Sequence, residues 1–553
     1  AKVALWLHTF TVGAPLSFID HHLRCGDSLF GLWVRDAIDK AAKLGGELLW
    51  NEALRNAQRS AEAMKTIEAL TDAEIAEAHR SAAMWQDVEL MTGELDGFVS
   101  FMHALDWLNL DKDGKALVRL WLDGRFGDAI PIARGRKEPE GGKARPAEVE
   151  AFTEVWRNAR QLIEEERFLN WQIAFPGVWQ DWASGERKGG FDAIVGNPPW
   201  DRIKLQQVEW FAVRRPEIAA QARASDREAM VEALVASGDP LAAEFERADK
   251  RALDSLRMAR FASGKASKDP ETGKRIPPPS DHYPLLSGGD INLYSLFVER
   301  AHALAKSDGL IGLLVPIGIG TDKTSAKYIS AITEDQQLKD FIAFENKRRW
   351  LFKDVHAEDQ PTMLIASNGR RRYPKFRYAV KLHALPDEQS DPTVLMDAQT
   401  LFAVNPNTGT MPIFRSSEDG RIVSEAYARV PVFVRKSGQG ETCDWEAKYV
   451  RMFDMTLDSK LFRDRNELET LEAAWPIGQQ RFQSATGIWL PLYEGKSVQI
   501  YNHRYASVVT PAGSISGQGQ AIHSTPDELV SPDFLPTPRY WVNAEHVDAI
   551  ARG

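Results

Sequence analysis

The sequence predicts an α/β protein built on a doubly wound sheet, with helical insertions and a C-terminal α+β region. Three observations carry this. Phe191-Asp192-Ala193-Ile194-Val195 is a short apolar run of strand type, preceded by Gly189-Gly190 and ended by Gly196. Asp290-Ile291-Asn292-Leu293-Tyr294 opens an amphipathic helix through Ala305, Ser307-Asp308-Gly309 closes it, and residues 310–316 read as a second buried strand. Residues 338–344 and 362–366 read as two more. Strand, helix and strand separated by glycine turns is the pattern of a doubly wound sheet.

The first strand ends unusually. Asn197-Pro198-Pro199-Trp200 follows Gly196 at once. Neither proline has an N–H to continue a ladder, and the pair fixes φ and pushes Asn197 into an extended conformation. A stiff turn at the carboxyl end of a strand stands where open α/β sheets place their ligands. It offers an amide oxygen, the Pro198 carbonyl and an indole face: two acceptors for an N–H₂ group and a ring to stack on. That set suits a planar amino-bearing heterocycle. The plainer alternative is an ordinary proline-rich loop after a buried strand.

The remaining elements follow in order. Val3, Leu5, Trp6, Leu7 and Phe10 are apolar enough for a buried helix end. Residues 23–29 look like a loop and strand end carrying Gly26-Asp27-Ser28. Residues 36–170 are largely helical: Leu54, Ala57, Ala61, Met64 and Ile67 recur at steps of three and four, a stripe for helix–helix packing. Thr71-Asp72-Ala73-Glu74 is a capping box opening the next helix. Residues 134–145 form a glycine- and charge-rich loop, solvated or in contact with phosphate. A helix-rich stretch runs from Trp200 to about Ala262, then residues 265–279 form a loop. Beyond about residue 380 the periodicity weakens into short strand-like pieces and turns.

Composition narrows the classes. At 553 residues two or more domains are expected. Hydrophobic content of 43% and 26% charged residues fit a globular protein, with no run long enough to span a bilayer. No secretory leader pattern is present, and Cys25 and Cys443 form no spacing motif, which suits a reducing cytoplasm. A net charge of −10 argues against indiscriminate coating of nucleic acid but leaves room for a DNA enzyme with basic residues gathered in one cleft. Lys347-Arg348-Arg349-Trp350 and Arg370-Arg371-Arg372-Tyr373 set cations beside aromatics, as phosphate contacts or as solvated strand ends. Glu494-Gly495-Lys496 has a nuclease-like Glu-x-Lys spacing without a convincing upstream Asp, and no metal site is expected. Gly513–Gly519 reads as a flexible loop.

Asn-Pro-Pro-Trp after Phe-Asp-Ala-Ile-Val-Gly resembles the catalytic motif of the N6-adenine branch of the amino-group DNA methyltransferases. Asn170-Trp171 and Phe175-Pro176-Gly177-Val178-Trp179 before it, and Asn292-Leu293-Tyr294-Ser295-Leu296-Phe297 after it, resemble the large methylases of restriction–modification and phage-defence systems. The match runs, with gaps, from Leu5 to about Val542. It implies a Rossmann-like, mostly parallel sheet of the class I S-adenosylmethionine-dependent type, seven-stranded, with an antiparallel hairpin at one edge. It implies that residues 1–35 open the methyltransferase core and 36–165 form a helical insertion. Residues 166–380 would carry the core, its catalytic motif and a second insertion at 201–280, and 381–553 the lead-in and start of a target-recognition domain. Trp489–Lys496, Asn502–Tyr505 and Pro538–Val542 resemble that lead-in.

The implied activity is methyl transfer from S-adenosylmethionine to N6 of an adenine flipped out of double-stranded DNA, with restriction or defence subunits as further partners. Asn197, Pro198, Pro199 and Trp200 would be catalytic. Asp27 would lie beside the cofactor adenine, although an Asp capping the next helix reads nearly as well, and Asp290 and Asn292 complete the cofactor set. The family's Asp-Pro-Ala-Cys-Gly-Ser-Gly-type loop does not precede Leu5, so the chain is expected to carry the middle and rear of a larger enzyme, cut off at both ends. A cytosine-C5 enzyme is set aside because neither cysteine follows a proline. Two rivals stand: a DNA-binding subunit of methylase fold without independent activity, and a protein-glutamine methyltransferase, which is small and lacks so large a rear domain.

Overall fold

In the computed structural model the chain divides into two units, Ala1–Cys443 and Asp444–Gly553. The structure describes residues 2–9, 19–46, 51–70, 74–182, 188–221, 224–268, 275–347, 349–353, 359–386, 392–414, 416–437, 440–443, 445, 451–455, 457–509 and 519–552. The Thr71 capping box, Arg348 and most of the Gly513–Gly519 loop lie outside these residues.

The first unit opens with α1 (Lys2–Thr9), whose Val3, Leu5 and Leu7 are exposed rather than buried as the apolar run suggested. A helical block follows: α2 (Val34–Lys43), α3 (Asn51–Ala69), α4 (Ile75–Trp107), α5 (Lys112–Leu122), α6 (Ala129–Arg134) and α7 (Pro146–Glu166). The stripe on α3 buries Leu54, Ala57, Met64 and Ile67, and α3 packs along α4. From Leu95 to Trp107 α4 is buried nearly all round, as a helix apolar on every side must be. Its Phe98 and Phe101 meet Trp121 of α5, and Phe126 stacks on Phe152 of α7 with ring centroids 4.6 Å apart. Aromatic area of this kind dominates core energetics.

The central sheet has six strands: β1 (Phe191–Gly196), β2 (Ala305–Pro316), β3 (Leu338–Phe344), β4 (Pro361–Ser367), β5 (Phe376–Leu382) and β6 (Val394–Met396), in the order β6-β5-β3-β4-β2-β1. β1 pairs parallel with β2 and β3 parallel with β5, while β4 runs antiparallel to both β2 and β3, and β6 antiparallel to β5. The sheet is thus mostly parallel in direction, four strands against two. The resemblance put the antiparallel pair at an edge, whereas β4 is inserted between β2 and β3. The second strand starts at Ala305, five residues before the sequence placed it, so Ser307-Asp308-Gly309 lie within β2 rather than closing a helix. Gly190 permits this register: its φ is +121°, and a Cβ there would meet Lys306 N at 2.5 Å and Leu304 O at 2.7 Å.

Helix α9 (Leu293–Leu304) is the wedge between block and sheet. Its Leu296 and Leu304 join the helical core, while Tyr294, Val298 and Ala301 join the sheet core with Ile311, Val315 and Phe341. Helix α10 (Ala326–Glu334) closes the same side with Tyr328, Ile329 and Ile332. Position 380 lies inside β5, and the first unit continues to Cys443. The loop expected at 265–279 carries a two-residue hairpin, Ser267–Lys268 with Arg275–Ile276.

The second unit holds a five-stranded antiparallel sheet in the order β7 (Phe462–Arg463), β11 (Tyr540–Asn543), β10 (Gly487–Leu492), β9 (Arg481–Ser484), β8 (Trp475–Gly478). Leu468, Ala474, Phe482, Trp489 and Trp541 form its own core.

Candidate functional site

At the carboxyl end of β1, Asn197 and Pro199 are exposed, Pro198 is buried and Trp200 is half-buried. The Trp200 indole packs against the sheet core, and its Nε1 donates to the Leu314 carbonyl of β2 at 3.4 Å. That long bond ties the end of the turn to the neighbouring strand. Beyond it, Ile203 N donates to Ile291 O at 3.1 Å and Leu293 N to Asp201 O at 2.9 Å, an antiparallel clamp around the bridge between Arg202 and Asn292. Asn292, the residue before α9, is therefore held beside the turn. Asp290 points into solvent and pairs with Lys204 at 3.4 Å.

A second clamp brings in Asp27. Asp27 N donates to Arg167 O, and Leu169 N to the carbonyls of Asp27 and Phe30. Leu32 N donates to Asn170 Oδ1 and Val34 N to Gln172 Oε1, while Asn170 Nδ2 donates to Asp96 Oδ1 and Ser100 Oγ on α4. Asn170 therefore stitches the Asp27 turn to the helical block. Trp171 Nε1 donates to Ser28 O at 3.0 Å. Within the turn, Asp27 Oδ1 accepts from Leu29 N at 2.9 Å and Phe30 N at 3.2 Å. It caps its own turn, not a helix, since α2 begins only at Val34. Burial raises the Asp27 pKa, opposed by those two N–H groups and the charges of Arg251 and Arg300.

The Asp27–Phe30 turn borders two cavities. One, of about 360 Å³, is lined by Ser28, Trp171, Asn197, Pro198, Pro199, Phe297 and Arg300. The other, of about 890 Å³, runs from Asp27 and Phe30 to Glu166 and to Arg247 and Arg251 of α8 (Pro240–Ala259), where Arg251 pairs with Glu166 at 2.9 Å. Sequence reasoning passed over Arg300, which is 5% exposed. Its signal was there: it interrupts the Leu296/Leu304 stripe of α9 at a step of four from each.

The basic clusters part company. β3 runs in the same direction as β1, so Lys347 and Arg349, just past its carboxyl end, share the sheet end of Asn197. Both are exposed, and Lys347 pairs with Glu345 at 2.6 Å. β4 runs the other way, and Arg370 N donates to Ser307 O near the start of β2. Arg370, Arg371 and Arg372 therefore sit at the opposite end of the sheet, and one cleft cannot gather both clusters. In the second unit Lys496 pairs with Glu494 itself at 3.4 Å.

Fold and site together define an α/β protein with a proline-stiffened Asn-Pro-Pro-Trp turn at the carboxyl end of a sheet strand. Residues 95–228, from α4 through that turn, match the model of the Eco57I restriction-modification methylase family, which bears out the resemblance to the methylases of restriction–modification systems. No curated protein matches the chain. Among solved structures, the chain is similar to the type IIG restriction endonuclease BpuSI at 12% identity, over 63% of this chain and 40% of that one, with a TM-score of 0.17. It is similar to DrdV in a DNA complex at 10% identity, over 76% and 40%, TM-score 0.17. A nuclease-deletion mutant of the type ISP restriction-modification enzyme LlaGI, bound to a DNA substrate mimic, matches at 10% identity over 63% and 36%, TM-score 0.15. The chain spans about two fifths of the length of these proteins. Among the described residues no helix is long and apolar enough to cross a membrane.

Proposed function

We propose that the chain is the methyltransferase portion of a cytoplasmic restriction–modification or phage-defence enzyme that methylates N6 of a flipped adenine in double-stranded DNA, on a Rossmann-like sheet of the class I type. The observation that carries the reading is the exposed Asn197 amide at the end of β1, beside two prolines and over a cavity of about 360 Å³. S-adenosylmethionine supplies a methyl group on a sulfonium, so no nucleophilic side chain is required. The cavity suits such a donor: Phe297, Ala301 and Leu304 give it an apolar wall, and Ser28, Asn197 and Arg300 add polar groups to its lining.

Asn197 Oδ1 and the Pro198 carbonyl would accept from the N6 amino group, holding its lone pair toward the methyl and drawing off positive charge as nitrogen is alkylated. Base extrusion costs a few kcal/mol, offset in part by stacking. Trp200 would supply that stack while its Nε1 stays tied to Leu314. Ser28 lines the donor cavity, whereas Asp27 faces the neighbouring larger cavity, Asn292 is held beside the turn and Asp290 points into solvent. Contacts from these three would require the donor to extend beyond the cavity at Asn197. Lys347 and Arg349 would take phosphates at the same sheet end. Any nuclease or other defence subunit would be a partner of the larger protein.

The test is Asn197→Ala in the protein that carries this chain. Tritiated methyl incorporation should fall by about two orders of magnitude or more, the scale for losing a transition-state hydrogen bond. Affinity for S-adenosylmethionine should change by less than about threefold, because the amide touches only the base. Near-normal turnover would sink the assignment.

A further inference from the structure

Residues 497–505 of the second unit form a short, braced hairpin. Gln499 N donates to Asn502 O at 2.8 Å and Asn502 N to Gln499 O at 3.0 Å, which closes a four-residue turn with Ile500 and Tyr501 at its tip. Below the turn Tyr505 N donates to Ser497 O at 3.1 Å. Arg504 holds the base, its guanidinium donating to the carbonyls of Leu529, Ser531 and Phe534. The backbone is thus fixed, yet the tip side chains touch little of the fold: Ile500 is 82% and Tyr501 104% exposed. Tyr501 also carries a φ of +68°. Positive φ at the third position of a turn calls for glycine or asparagine, and a bulky side chain there is strained. Burial could offset that strain, but a fully exposed ring buries nothing. A local rule broken without gain in the folded chain points to a contact made outside it.

The charges around the tip select the partner. From Gly495 to Pro526 the sequence has no aspartate or glutamate, in a chain with 78 of them and a net charge of −10, while Lys496, His503 and Arg504 stand on the two arms. Glu494, just before this stretch, is paired with Lys496 at 3.4 Å. Asp527, Glu528 and Asp533 belong to the segment that Arg504 grips at the base of the hairpin, away from its tip. A pocket on another protein could receive Ile and Tyr, but it would not require arms free of carboxylates. A polyanion with flat, stackable faces requires both. We infer that the Ile500–Tyr501 tip is a wedge for double-stranded DNA, the ring entering the base stack from a groove with the acid-free arms against the phosphates. The inference rests on the DNA-methylating reading above and adds an element that opens the duplex. Inserted apolar side chains unstack a base step and kink the DNA, and a tip already held in place loses little freedom on entering.

Fluorescence anisotropy of the full chain with two end-labelled duplexes of mixed sequence tests this, one fully paired and one with a central abasic site. The abasic site removes the cost of unstacking, so wild type should bind it about tenfold more tightly, the scale of one base–aromatic stack. Tyr501→Gly suits a φ of +68° better, so its melting temperature should hold or rise while the preference falls to within about twofold. Tyr501→Phe keeps the ring face and should keep the preference. A preference that survives in Tyr501→Gly, or one lost in Tyr501→Phe, overturns the inference. So does a melting temperature that falls in Tyr501→Gly, which would give the ring a role in folding. Unchanged duplex binding by Tyr501→Gly, with an oligomer broken up in sedimentation, would make the tip a contact between copies of the chain and overturn it too. Equal binding of the two duplexes by wild type sinks the wedge and leaves the DNA reading standing. If wild type binds neither duplex, the proposed function falls as well.

Discussion

Trp200 shows how one side chain is asked to serve two ends. Its ring is half-buried against the sheet core, and its indole N–H donates to Leu314 O over a long 3.4 Å. Losing that bond should cost no more than about 1 kcal/mol, whereas removing the ring leaves a gap worth roughly 2–3 kcal/mol at a half-buried position. Trp200→Phe is therefore expected to keep near-normal stability and, if the ring also stacks on the base, most of the 2-aminopurine fluorescence at the target position. Trp200→Ala should lose both; an unchanged fluorescence signal would leave the ring with a packing role alone. His302 on α9 carries a different prediction. Its Nε2 lies 2.6 Å from Tyr328 Oη, and burial lowers its pKa to about 4. A folded-state pKa below the unfolded value means full stability above about pH 6.5 and loss as pH falls toward 4, in total roughly 3 kcal/mol. Glu299, raised to about 7 mainly by burial, pulls the other way but is common to wild type and variant. The difference in urea stability between wild type and His302→Gln should thus shrink by that amount from pH 7 to pH 4. A pH-independent difference would show that the ring is not buried neutral.

Among elements, β1 is the most exposed strand of the central sheet. It stands at the sheet edge with Val195 87% exposed, next to a cavity of about 430 Å³ on its apolar flank. Apolar edges recruit other strands, and a lysine on such an edge is the natural deterrent. Val195→Lys should slow self-association of the chain, read by light scattering, without lowering its melting temperature; unchanged association would place the sticky surface elsewhere. The same strand shows what was legible in sequence. Its apolar run, glycine stop and proline pair are local signals, as is the period of α3, and they formed; the helix expected from Asp290 through Ala305 formed as Leu293–Leu304, without its expected closing turn. Strand neighbours are not local. Nothing in residues 361–367 says that they insert between β2 and β3, and that insertion is what turns Arg370–Arg372 away from Asn197. Nor does the Asp27 turn announce its dependence on Asn170, 143 residues away, whose amide is recognisable only once Leu32 and Asp96 are seen beside it. Arg300 was visible as a charge in an apolar stripe, but a stripe alone does not say whether such a charge meets solvent, a carboxylate or a cavity.

At the scale of the whole molecule, the chain is two bodies with two kinds of core. The first unit joins helical block and sheet through α9, so its parts should melt together: Leu296 and Val298 face different clusters from one helix, and neither cluster can lose its packing without disturbing the other. The second unit's core is small, five residues around Phe482, Trp489 and Trp541 on a sheet of short strands. Trp541 is 1% exposed, its Nε1 donates to Gln480 O at 2.6 Å, and its ring meets Phe482 edge-on at 5.4 Å. Replacing a buried Trp by Ala costs roughly 3–5 kcal/mol, a large share of what a domain of this size possesses. Scanning calorimetry of the full chain should therefore show two transitions. Trp541→Ala should shift or abolish only the one belonging to the second unit, while α4 and β2 melt as in wild type. A single transition that moves as a whole in the variant would mean that the two cores unfold as one cooperative body, and that the boundary at Cys443 divides contacts without dividing stability.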